Sequence, residues 1–163
     1  MKKWWLWICC ACLLTGCGAA ETFETVGDDI LQPVMAPAGQ IVLELPDSAS
    51  AHTMAEGKED ALYFCDGYTV TVQTMDRGDL DRTVRTLCGF GADSLKLVQT
   101  QVEGGRRWDW VWTAAGEGGD AVGRGAIIDD GKYHYCVTVM AQAEQAGKLE
   151  TQWTDLLRSF RVD

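Results

Sequence analysis

The chain has 163 residues, with 24 Asp and Glu against 14 Lys and Arg, for a formal net charge of −10. That length suits one domain able to bury a core without disulfide staples. The acidity argues against nucleic acid and anionic lipid surfaces as partners, because both are bound through positive charge.

Lys2 and Lys3 open the chain, and the run from Trp4 to Leu14 follows without a charged residue. A basic start and a short apolar core mark an export signal. The run is too short to cross a bilayer, which takes roughly twenty residues. Leu14-Thr15-Gly16-Cys17 then resembles the lipobox of bacterial lipoproteins, with ordinary secretion as the alternative. The resemblance implies cleavage before Cys17, a diacylglyceryl group on its thiol with palmitate among the acyl chains, and an extracytoplasmic, lipid-anchored protein. The organisation expected is a signal peptide over residues 1–16, a lipidated N-terminus and flexible tether over 17–40, and a single α+β domain over 41–163. Cleavage would remove two lysines and no acid, taking the net charge from −10 to −12. Cys9, Cys10 and Cys12 fall in the removed segment and read as apolar filler.

Residues 18–40 carry Pro33, Pro37 and scattered acids with no sustained period, as a tether does. Ile41 to Leu45 alternates before Pro46 and predicts a first strand, and residues 46–58 read as a polar loop. Leu62 to Cys65 and Tyr68 to Met75 flank Asp66-Gly67, a strong hairpin signal. Asp79 caps a helix in which Leu80, Val84, Leu87 and Cys88 recur at helical spacing, with Gly89 as its C-terminal stop. Leu97 to Val102 and Arg107 to Thr113 predict a second hairpin about Gly104-Gly105. Ala121 to Ile128 and Tyr133 to Ala141 predict a third about residues 129–132. A closing helix over 143–160 presents Leu149, Trp153, Leu156, Leu157 and Phe160 as one apolar stripe.

Hairpins with two main helices predict an α+β fold, an antiparallel sheet covered by helices. The element order, with the ending Trp153-x-x-Leu156-Leu157-x-Ser159-Phe160, resembles a PsbP-like sandwich. Cys65-Asp66-Gly67-Tyr68-Thr69-Val70 and the run from Trp112 to Asp120 resemble a group of lipoproteins from anaerobic Gram-positive bacteria. Neither resemblance brings an activity with it. PsbP-like domains are mostly assembly or binding modules, which implies binding rather than catalysis.

Past residue 16 the motifs of common enzymes are missing: there is no HExxH, CxxC, P-loop or G-x-S-x-G. His52 and His134 stand in no metal-ligand pattern, so neither metal nor cofactor is expected. Cys65, Cys136 and His134 leave a thiol site open, against an inert sheet face, since His134 and Cys136 share one side of a strand. Cys65, Cys88 and Cys136 allow at most one disulfide once Cys17 is lipidated. The glycines of residues 116–125 suggest a phosphate cradle, but Glu117 and Asp120 would repel phosphate; a flexible connection or a weak calcium loop fits better.

Trp108, Trp110 and Trp112 alternate along one strand and so share a face. They form either a core face beneath a helix or an exposed platform for sugars or a partner, which makes them the candidate ligand-binding face. A two-residue turn at Gly104-Gly105 would set Trp108 opposite Gln101, Trp110 opposite Gln99 and Trp112 opposite Leu97. The function expected is a non-catalytic binding or accessory module of the cell envelope, engaging an envelope protein or polymer. The alternatives are a carbohydrate-binding domain using the Trp face and an enzyme with a thiol site.

Overall fold

The computed structural model describes residues 36–53, 60–116 and 118–163, so the lipobox, Cys17 and most of the tether lie outside the described residues. Along the chain run β1 (Ile41–Val42), β2 (Ser50–Thr53), β3 (Ala61–Cys65), β4 (Tyr68–Asp76) and α1 (Leu80–Cys88). After a 3-10 turn at Ala92–Ser94 come β5 (Val98–Val102), β6 (Gly105–Ala114), β7 (Ala121–Asp129), β8 (Tyr133–Gln142), α2 (Ala143–Ser159) and β9 (Arg161–Val162). Seven strands make one antiparallel sheet in the order β2-β3-β4-β8-β7-β6-β5, and β1 pairs separately with β9. No described helix is long and apolar enough to cross a membrane.

The local signals act where the sequence places them. Asp79 accepts the Asp81 N–H at 3.3 Å, and Gly89, at φ 82°, sends its N–H to the Arg85 carbonyl at 2.8 Å, closing α1 at both ends. Cys65 pairs with Tyr68 across Asp66-Gly67, as the hairpin signal requires. Alternation along the strands divides the apolar residues between two faces. Val70, Val72, Val137, Val139 and Ile128 pack against Leu149, Trp153, Leu156 and Leu157 of α2. Ile127, Cys136 and the three tryptophans of β6 pack on the other face, against Val84 of α1. Each of the large side chains that α2 buries contributes on the order of 1.5–3 kcal/mol. Trp153, 1 % exposed, meets Tyr68 edge-on at 6.2 Å between ring centroids.

Three expectations change. The expected first strand shrinks to Ile41–Val42, because its partner β9 is two residues long and Ser159 Oγ takes the Glu44 N–H at 2.9 Å. The stretch read as a polar loop contains β2, a polar strand that pairs Ser50 with Phe64 and Ala51 with Tyr63. The second hairpin turns at Glu103-Gly104, so Trp108 faces Gln99 instead of Gln101. Gly104 adopts φ 78°, which favours glycine, whereas Gly105 belongs to β6, where any side chain would overlap the Asp129 carbonyl. The slip is two residues, so each side chain keeps its face.

Candidate functional site

The three indoles share a face as expected, and that face is core. Trp108, Trp110 and Trp112 are 8 %, 3 % and 6 % exposed. Val84, Leu80 and Leu87 of α1, with Leu95 and Leu97 beyond the 3-10 turn, cover them. Gly125 and Gly123 on β7 stand opposite Trp110 and Trp112, and a Cβ on either would overlap the six-membered ring lying over it. The Trp110 and Trp112 rings stack at 6.2 Å, and the Arg106 guanidinium sits 5.2 Å over Trp108. The exposed-platform reading of Trp108, Trp110 and Trp112 is therefore corrected: α1 and the 92–97 segment occupy the surface a ligand would need. Gly123 and Gly125 serve this packing as strand residues, so the glycine-rich run is not one continuous loop.

Cys65 and Cys136 lie on opposite faces of the sheet, so the structure does not bring them together. The His134 ring turns to α1, where Nδ1 lies 2.8 Å from Thr83 Oγ1, and Nε2 lies 4.0 Å from Asp129. Asp129, 4 % exposed, is held by Arg77 at 3.3 Å, Arg106 at 3.2 Å and the Gly131 N–H at 2.7 Å. Burial lowers the His134 pKa, with Asp129 and Asp130 opposing and Arg77 assisting. Cys136 is fully buried, its Sγ 3.5 Å from the His134 carbonyl, and burial pushes its thiol up to about 12. A thiol so protonated is no nucleophile at neutral pH. Burial also raises the Cys65 thiol, and Cys65, Cys88 and Cys136 are all free. Exposed His52 packs edge-on against Phe64 at 6.3 Å. Among the described residues no group of three or more His, Cys, Asp or Glu is placed to hold a metal.

The open surface lies on the α2 side of the sheet. α2 packs chiefly on β8 and β7 and leaves part of the β5–β6 end open. There Val98 and Val111 are 51 % and 54 % exposed. A hollow of about 350 Å³ is floored by Val98, Val111 and Leu157, with Lys96, Asp109 and Arg124 around it. A second, of about 420 Å³, adjoins it at Val111 and Arg124 and runs along α2 past Trp153, Thr154 and Glu150; the two together are called the groove.

The groove's walls are fixed. Arg124 Nη1 donates to Thr154 Oγ1 at 3.0 Å. Arg107 donates to both Asp109 oxygens at 2.9 and 2.7 Å and to the Leu157 carbonyl at 2.8 Å, with its guanidinium 5.6 Å over Phe160. A cation on a last-turn carbonyl complements the C-terminal end of a helix, so Arg107 fastens α2 to the sheet and fixes the groove's width. An apolar floor with charges of both signs along its edge suits an extended amphipathic segment. Sequence reading missed this site because the exposure of Val98 and Val111 follows from where α2 lands, for which strand alternation gives no signal.

No protein-family model matches the chain, and no curated protein sequence matches it. Solved structures do match. LpqN of Mycobacterium tuberculosis, involved in cell envelope biogenesis, aligns at a TM-score of 0.53 and 10 % identity over 78 % of this chain and 86 % of its own. A Bacteroides thetaiotaomicron protein aligns at a TM-score of 0.51 and 12 % identity over 76 % of this chain and 45 % of its own, so the chain spans under half of it. The solution structure of CyanoP, the cyanobacterial PsbP of Synechocystis, aligns at a TM-score of 0.50 and 7 % identity over 82 % of this chain and 97 % of its own. At such identities the likeness is one of fold. The chain folds as an α+β sandwich of the PsbP-like kind.

Proposed function

We propose that this protein is an extracytoplasmic lipoprotein, anchored in the membrane by a lipid on Cys17, whose domain is a non-catalytic binding module for an envelope protein. The observation that carries the binding reading is the groove beside α2, an apolar floor left open by the fold and edged by Lys96, Asp109, Arg124 and Glu150. The lipobox-like Leu14-Thr15-Gly16-Cys17 supports the anchor. The fold shared with LpqN, a protein involved in cell envelope biogenesis, supports an envelope setting. Burial of the Cys136 thiol and the pairing of His134 with Thr83 weigh against a thiol enzyme.

Two measurements test this reading. Cys17→Ala should abolish fatty-acid labelling and release the chain from membranes; continued labelling would overturn the anchor. Val98→Asp with Val111→Asp places charge on the floor at positions already half open to water. The pair should remove the co-isolating envelope protein while the melting temperature holds. Undiminished recovery of that protein would overturn the groove as the binding site.

A further inference from the structure

β5 is a rim strand of the sheet, hydrogen-bonded to β6 on one side. Its residues, Val98-Gln99-Thr100-Gln101-Val102, read the same in both directions. The strand carries no charge, no proline and no break in its register with β6, which are the devices that usually protect an edge. The opposite rim, β2, reads Ser50-Ala51-His52-Thr53 and lacks that symmetry.

The β5–β6 hairpin closes on Val102 opposite Gly105 across a two-residue turn. Such a closing pair exchanges hydrogen bonds, and by alternation Val98, Thr100 and Val102 direct their backbone groups to β6 while Gln99 and Gln101 direct theirs outward. A second copy, antiparallel about a two-fold axis at Thr100, would therefore meet Gln99 with its own Gln101 and Gln101 with its own Gln99. Both N–H and both C=O groups of each edge would be satisfied. On the groove face the same register opposes Val98 to Val102. It also sets Lys96 of each copy beside the Glu103-Gly104 turn of the other, exposed cation against exposed anion.

We infer that the chain self-associates through β5, joining two sheets edge to edge so that the Val98–Val111 floors of the two grooves continue into one trough. A five-residue strand pair falls short of the roughly 1,000 Å² that sustains a free dimer. Association therefore depends on confinement at the membrane surface, which raises effective concentration, and to that extent it rests on the lipid-anchor reading.

The test is disulfide crosslinking of the full chain in isolated membranes. At a two-fold axis through a non-hydrogen-bonded pair, the Thr100 Cα atoms of the two copies approach to about 4.5 Å, inside the range a disulfide spans. After mild oxidation, Thr100→Cys should give at least ten-fold more dimer than Lys132→Cys, placed in the β7–β8 turn. Adding Gln99→Pro removes an outward N–H without touching the β6 ladder. It should cut the dimer at least ten-fold while buried Cys136 stays shielded from alkylation. Gln99→Lys, which sets a charge on each edge, should do the same should the proline variant fail to fold. No excess of dimer over Lys132→Cys, or a dimer that survives the folded Gln99 variant, overturns the proposal. Recovery of the chain in the soluble fraction before oxidation would overturn the anchor and this association with it, and fractionation tells that failure from a failure of β5 pairing.

Discussion

Replacing Gly125 with alanine adds one methyl group at a crowded point of the α1-side core. The new Cβ would overlap the Cζ2, Cε2 and Cη2 atoms of Trp110, a residue 3 % exposed. Alanine at an extended strand position gains roughly 0.5–1 kcal/mol through the unfolded chain. Overpacking a tight core costs about 1–3 kcal/mol, and the upper end applies because β6 and β8 pin β7 from both sides. The net loss is then about 2 kcal/mol, or roughly 8 °C in Tm for a domain of this size. Trp110→Phe withdraws the overlapped ring and also removes an indole N–H that is buried without a hydrogen-bond partner among the described residues. Its cost should be small, about 1 kcal/mol, because the lost packing is partly offset by relief of that unpaired group. In the double variant the alanine methyl fills space vacated by the indole, so it should be at least as stable as Trp110→Phe alone, a coupling of about 2 kcal/mol. Denaturant unfolding of all four proteins measures the cycle. Additivity within about 0.5 kcal/mol would refute the claim that the indole lies on the glycine.

The buried histidine sets a pH dependence. Burial lowers its pKa in the fold below the ordinary imidazole value of 6.5, so the folded state favours neutral imidazole and the unfolded chain takes up the extra proton. The contribution is present above pH 6.5 and is lost as pH falls below it toward the lowered folded-state pKa. His134→Gln should flatten that part of the stability profile; a profile that keeps its slope would refute the assignment. The Cys136 thiol should resist iodoacetamide at pH 7.5 in the folded protein and react once it is unfolded. Rapid modification of the native protein at Cys136 would contradict its burial and revive a thiol chemistry.

Much of this fold is legible in the sequence because its signals are local. Asp79 and Gly89 bracket α1, Asp66-Gly67 closes a hairpin, and the stripe from Leu149 to Leu157 identifies α2. Where the sequence misleads, the deciding contact is distant. Gly104-Gly105 looks like a turn, yet the second glycine is required by the Asp129 carbonyl on β7, and the turn moves back one residue. β2 and β9 are too polar or too short to declare themselves and exist through their partners. Strand alternation correctly puts Trp108, Trp110 and Trp112 on one face, but which face is covered depends on the path of α1 and the 92–97 segment. The groove is hidden for the same reason: Val98 and Val111 are ordinary strand valines until α2 settles on β7 and β8 and leaves them open.

Photo-crosslinking in intact cells shows whether an envelope protein binds in the groove beside α2. A photoreactive residue replaces Val111 on the groove floor, and a second chain carries it at Phe90, also exposed, beyond the C-terminal end of α1. Position 111 should give a discrete protein adduct that is absent from position 90 and lost when Val98→Asp is added. Equal adducts from both positions, or none from position 111, would contradict binding in the groove.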